Sequence, residues 1–196
     1  MADATAQRLL ALGDSFTAGT GSSLEQAFPA RLIEAWRAQG CAVELRNVAV
    51  NGYTSRDVIE REVPELSRFG PTWVTLAIGA NDLVRRVPED TYRENVHGIL
   101  AAAVAVAPRE HVLVLPQPAW ARSEVGASFG ITEADVDRFD AVLRDEALAV
   151  GARFVDLKGL MRAEADAKMV APDGLHPNAA AHAEWAQAIA ERAACR

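Results

Sequence analysis

The chain has 196 residues, half of them hydrophobic, with a mean hydropathy of +0.01. That length and apolar content suit one α/β domain with a sizeable core and exclude an intrinsically disordered chain. A formal net charge of −7 sets the surface against phosphate backbones and anionic lipid, so nucleic acid and membranes are excluded as partners.

Lys158 and Lys168 are the only lysines, and the arginines are scattered rather than gathered into an anion-binding stripe. No segment approaches the ~20 consecutive apolar residues of a membrane span. Residues 1–12 lack a basic leader and a long apolar core, and read as a lead-in to a strand rather than a signal peptide. Cys41 and Cys195 have no CxxC spacing. A disulfide between them is one reading; the one adopted is two unpaired thiols in a cytoplasmic protein.

Residues 7–12 are strand-like and stop at Gly13. Leu24, Phe28, Leu32 and Trp36 recur every four residues, the face of a helix, with Ser23 and Gln26 as its capping box. Residues 43–49 form a second strand ending near Asn51-Gly52. A helix over 55–66 follows, kinked or ended by Pro64. Residues 72–78 make a third strand, and 88–107 a helix with Tyr92, Val96, Ile99 and Ala103 on one stripe. Residues 111–115 are nearly all apolar, a strand buried on both faces. Residues 116–131 are the longest irregular stretch. Thr132 caps the next helix, 153–157 is a fifth strand with a short helix after it, and a closing helix starts at Pro177. Strand and helix alternate throughout, with no repeat or linker. The expected fold is a three-layer α/β/α sandwich around a five-stranded parallel, flavodoxin-like sheet, as one domain over 1–196.

In such sheets ligands bind beyond the carboxyl ends of the strands. There the sequence places Gly13-Asp14-Ser15, Asn51-Gly52, Gly79-Ala80-Asn81-Asp82 and, before the last helix, Asp173-Gly174-Leu175-His176-Pro177. A hydroxyl, a bare backbone N–H, a carboxamide and an Asp/His pair on one edge are the parts of an acyl-transfer site. Each has a bland alternative when taken alone: Ser15 as a helix cap, Asp173-Gly174 as a turn, Asn81-Asp82 as an Asx-turn, His176 as a helix-start residue. Four such coincidences at sheet ends are harder to accept.

In order and content these four blocks resemble the SGNH, or GDSL-type, hydrolase family across residues 13–177. One departure is 178–182, Asn-Ala-Ala-Ala-His, which lacks a glycine many members carry there. The resemblance implies a serine esterase with Ser15 as nucleophile, His176 as base and Asp173 orienting the ring. An unassisted hydroxyl needs such a base, and an imidazole with a pKa near ~6.5 is mostly neutral at pH 7. It further implies an oxyanion hole of the Ser15 and Gly52 N–H groups and the Asn81 side-chain amide, with no metal or organic cofactor. Asp14 and Asp82 are read as tying their own loops. Phe16, Leu83 and Val84 flank the motifs as substrate-pocket candidates. Trp120 is placed either in a pocket wall or as a packed loop anchor. Trp36, Trp73 and Trp185 are assigned to the core, and His97, His111 and His182 to structural roles.

Among rivals, an α/β-hydrolase elbow fails because Thr17 stands where its second glycine belongs. Gly19-Thr20-Gly21 lacks dinucleotide-binding spacing. Acyl transfer through the same acyl-enzyme and a catalytically silent carbohydrate- or ligand-binding module remain as alternatives. The implied substrates are small-molecule esters, with small soluble or acetyl esters favoured over lipid; oligomeric state is not legible.

Overall fold

A computed structural model describes residues 7–195. The Met1–Ala6 portion of the N-terminal lead-in therefore lies outside the described residues. Five parallel strands, β1 (Gln7–Gly13), β2 (Val43–Asn47), β3 (Trp73–Ala77), β4 (Val112–Val114) and β5 (Arg153–Phe154), lie in the order β2-β1-β3-β4-β5. This is the flavodoxin-like order expected. The chain steps from β1 to one side and then returns to its other side, so a crevice opens at the carboxyl ends of β1 and β3.

The central strands are apolar because both faces are covered. Leu10, Leu12, Val74 and Leu76 point to one layer, and Leu9, Trp73, Leu113 and Leu115 to the other. The first layer holds α4 (Val63–Phe69), α6 (Glu89–Val104) and α8 (Glu133–Val150). Tyr92, Val96, Ile99 and Ala103 are buried there as the stripe required. The second holds α2 (Phe28–Ala38), α9 (Lys158–Asp166) and α10 (Ala179–Arg192), with Trp36, Trp73 and Trp185 in its core.

Several boundaries differ from the sequence expectation, each for a physical reason. The helix placed from Leu24 starts at Phe28, with Pro29 in its first turn and Leu24 73% exposed. Gln26 does bond the Ser23 N–H (3.2 Å), but this closes a separate turn ahead of the helix. Residues 55–66 are not one α-helix. A short α3 (Ser55–Asp57) runs into a π-turn (Val58–Glu62) and then α4, and the Val63 N–H reaches back five residues to the Val58 carbonyl. Pro64 offers no N–H and its ring crowds the carbonyl four residues before, so the wider turn absorbs it. The 116–131 stretch carries a 3₁₀ turn (Trp120–Arg122) and α7 (Glu124–Ser128), capped by Ser123. β5 is shorter than 153–157, although the Val155 N–H still bonds Val114 O at 2.8 Å.

The cysteines overturn the free-thiol reading. Cys41 and Cys195 form a disulfide, with Cα atoms 5.8 Å apart across a separation of 154 residues. Packing of α2 on α10 brings their carboxyl-terminal ends together, and the Trp36 indole N–H also bonds Ala193 O (2.8 Å). Sequence spacing carries no trace of that meeting. A cross-link closing so long a loop constrains the unfolded chain, so Cys41→Ser is expected to lower stability to denaturant by about 2–4 kcal/mol. A denaturation midpoint unmoved by Cys41→Ser or by reductant would contradict the bridge.

Candidate active site

The first loop leaves β1 at Gly13, whose φ of +147° and whose closeness to Ala77 O, 2.2 Å from any added Cβ, admit only glycine. Asp14 then caps α1 (Ser15–Ala18) by accepting the Phe16 N–H at 3.1 Å. Ser15 opens that helix at 5% exposure.

The second loop places Gly52 at φ +85°. A Cβ there would meet nothing nearer than Arg85 Nη2 at 4.0 Å, so backbone conformation rather than crowding calls for glycine. The Gly52 carbonyl accepts from Arg85 Nη2 (2.8 Å). The N–H groups of Ser15 and Gly52 find no partner among the described residues.

The third loop carries Asn81 in α5 (Ala80–Val84). Its side-chain amide donates to Tyr53 O at 3.0 Å and, loosely, to Asp14 Oδ2 at 3.5 Å. One N–H is thus anchored to the second loop while the other is only weakly engaged. Asp82 does not tie its own loop. Its carboxylate reaches the second loop, accepting the Ser55 N–H (2.9 Å) and hydroxyl (2.6 Å), and Asn95 completes the group through Ser55 Oγ (3.0 Å).

The last loop holds Asp173 and His176. Asp173 Oδ1 accepts the N–H groups of Leu175 (2.9 Å) and His176 (3.0 Å), and Oδ2 bonds His176 Nδ1 at 2.8 Å. That bond sets the tautomer and leaves Nε2 as a proton acceptor. Burial alone pushes the Asp173 carboxyl up, but the two backbone bonds and the imidazole outweigh it and hold the group below the ordinary carboxylate range. The loop meets the first one directly. Phe16 and His176 rings lie 5.6 Å apart, and a Cβ on Gly21 would stand 3.2 Å from His176 Cβ and 3.4 Å from Asp173 Oδ2.

Beside this loop lies a cleft of about 400 Å³ walled by Trp120, Val125, Met161, Met169, Leu175 and Pro177. Trp120 faces it, although it is largely buried and anchored to Gln117 Oε1 (3.2 Å). None of Ser15, Gly52, Asn81, Asp173 and His176 is among its walls; Gly174, Leu175 and Pro177 border it from the last loop. Phe16 is buried against His176. Leu83 turns into the core and borders a different hollow, with Arg86 and Phe139, while Val84 packs half-buried on the core. His182 is fully buried edge-on to Trp185 (5.1 Å), and burial drives its pKa down to about 4.

Sequence reading missed Glu62, which is 1% exposed and accepts the Gly13 N–H at 2.8 Å. The available signal was an acid set four residues from both Val58 and Leu66 on an inward-facing stripe.

The fold is that of a doubly wound α/β protein with four loops meeting on one rim, and the sequence match gives its family. Residues 11–184 match the GDSL-like Lipase/Acylhydrolase family, to which the chain belongs. Among its relatives is Thioesterase 1/protease 1/lysophospholipase L1 of Escherichia coli strain K12, 34% identical over 103 residues. That match covers 50% of this chain and 48% of the relative, so it spans about half the length of each. Esterase TesA of Pseudomonas aeruginosa is 26% identical over 91% of this chain and 83% of its own. In fold, the chain resembles a crystal structure of TesA (TM-score 0.75, 24% identity, 93% and 96% of the two chains). It also resembles Axe2, an acetylxylan esterase from Geobacillus stearothermophilus (TM-score 0.79, 18% identity, 100% and 98%).

Burial raises the Asp14 carboxyl from 3.8 to about 7, against the pull of the Phe16 N–H and with a further push from Asp82. A carboxyl whose folded pKa exceeds its unfolded one holds its proton longer in the folded chain. Stability therefore falls as pH rises from the unfolded value through the folded one, and levels off above it. Urea denaturation between about pH 4 and about pH 8 is expected to show a shallower decline in Asp14→Asn, which keeps the cap acceptor. Equal declines in the two proteins would contradict a protonated Asp14.

Proposed function

We propose that the protein is a carboxylic ester hydrolase acting through an acyl-enzyme, with Ser15 as nucleophile, His176 as general base and Asp173 as the group that orients the imidazole. The observation that carries this reading is the 2.8 Å Asp173–His176 bond, on a loop packed against the one that presents Ser15. Family membership supports it, as do the names of the E. coli and P. aeruginosa relatives.

In the proposed cycle Ser15 Oγ attacks the ester carbonyl while its proton passes to His176 Nε2. Asp173, kept ionised by its backbone donors, stabilises the imidazolium that forms. The oxyanion rests on the N–H groups of Ser15 and Gly52 and on the less engaged N–H of Asn81. Preorganisation favours this, since Tyr53 O already fixes the Asn81 side chain before charge develops. His176 returns the proton to the leaving alcohol, the acyl-enzyme forms, and water repeats the sequence to release the acid.

An apolar-walled cleft of about 400 Å³ opens beside the loop that carries His176, of a size to take one part of a small ester. Small soluble esters, acetyl esters among them, are the proposed substrates. Among the described residues no helix is long and apolar enough to cross a membrane. The disulfide removes the support that free thiols lent to a cytoplasmic location, because such bonds persist mainly in oxidising compartments.

The test is a panel of chromogenic esters of graded acyl length. Ser15→Ala is expected to abolish turnover and phosphonate labelling while leaving the melting temperature close to wild type; retained turnover would reject the nucleophile. Asn81→Ala is expected to lower kcat by about 10²–10³-fold with little change in KM. A rise in KM at constant kcat would instead make Asn81 a ground-state binding residue.

A further inference from the structure

We infer that Glu62 is a positioning residue of the proposed reaction: delivered by the π-turn, its side chain replaces the missing strand neighbour of Gly13 and fixes the course of the nucleophile loop. The inference rests on Ser15 being the nucleophile, and it adds a residue outside the four motif loops.

Strand pairing creates the need. β1 pairs with β2 only as far as Ala11↔Asn47, but with β3 as far as Gly13↔Ala77. Ala11 turns its carbonyl toward the β2 side, where it accepts the Val48 N–H at 3.1 Å. In a strand the residue two positions on faces the same way, so the Gly13 N–H points to the side on which β2 has ended. Glu62 Oε2 meets that N–H at 2.8 Å, across 49 residues of sequence. A buried N–H left without an acceptor is costly, and here no strand is available to supply one.

Delivery depends on the helix defect. The π-turn buries two of its five residues, Val58 and Glu62, and the defect is a response to Pro64. Glu62 stands among acids rather than cations. Burial pushes its carboxyl up to about 8, the Gly13 N–H pulls it back, and the charges of Asp14 and Asp57 push it up again. A protonated side chain accepting through one oxygen resembles a carboxamide, so the acceptor atom rather than a charge is what this position supplies.

Position follows from connectivity. Gly13 has no side chain with which to hold itself, and the next two residues are the cap Asp14 and then Ser15. The orientation of the peptide at Gly13 sets the direction in which Ser15 and its N–H leave the sheet. Displacements well under 1 Å at a nucleophile and oxyanion donor reduce turnover without weakening ground-state binding.

The experiment compares Glu62→Asp, Glu62→Gln and Glu62→Leu in ester kinetics, with amide hydrogen exchange at Gly13 as an independent readout. Glu62→Asp withdraws the acceptor by one methylene and Glu62→Leu removes it. Both are expected to lower kcat by about 10- to 100-fold with KM within about twofold, and to speed exchange at Gly13. Glu62→Gln restores an acceptor and is expected to keep kcat within about threefold of wild type, with Gly13 still protected. Unchanged kcat in Glu62→Asp and Glu62→Leu overturns the inference, as does a Glu62→Gln protein as impaired as Glu62→Leu. If Glu62→Leu does not fold, the Asp and Gln variants decide by the same criteria. An inactive wild type would overturn both this inference and the esterase reading, whereas an active wild type with indifferent variants overturns this inference alone.

Discussion

The carboxyl rim of the sheet is organised by carboxylates that accept backbone N–H groups. Asp14 takes Phe16, Glu62 takes Gly13, Asp82 takes Ser55, and Asp173 takes Leu175 and His176. Each bond fixes a segment that no strand or long helix can fix, because the loops have left the regular ladder. Three of these acids are buried and have their pKa raised by burial. Asp173 is the exception: more exposed, and held below the ordinary range by its donors. One kind of side chain thus serves two purposes separated by environment. The inner three act as acceptors in the scaffold, and the outer one stays ionised beside an imidazole.

Much of this architecture could be read from the chain alone. Apolar runs such as Leu9–Leu12 and Val112–Leu115 announce strands covered on both faces, and the stripe from Tyr92 to Ala103 announces the helix that covers one of them. The Gly-Asp-Ser, Gly-Ala-Asn-Asp and Asp-Gly-Leu-His-Pro groups could be placed at strand ends because local turn chemistry marks them. Tertiary partnerships were hidden. Nothing around Asp82 says that its carboxylate belongs to Ser55, 27 residues earlier, and nothing around Cys41 points to Cys195. Glu62 was obscured for a further reason: Pro64 reads as a kink or an end of the helix, and neither reading shows that the chain absorbs it with a wider turn that turns residue 62 inward.

The C-terminal helix connects these observations. α10 begins two residues after Pro177, and its Asn178 cap accepts the N–H groups of Ala180 and Ala181 (3.0 Å each). Its far end is held by the disulfide and by the Trp36–Ala193 bond. His176 therefore sits just ahead of a helix secured at both ends. The absence of a glycine from 178–182 accords with this, since alanine favours the first turn that the asparagine caps.

All four tryptophans are buried, three in the second layer and Trp120 in the first. Trp36 and Trp73 lie tilted against each other in the second layer, Trp185 donates to Glu164 (2.6 Å), and Trp120 stands at the cleft. The protein consequently carries its own optical gauge. Its native emission should be blue-shifted, reddening on unfolding as the indoles meet water, and occupancy of the cleft should register through Trp120 and Trp185, which both line it, without any added dye.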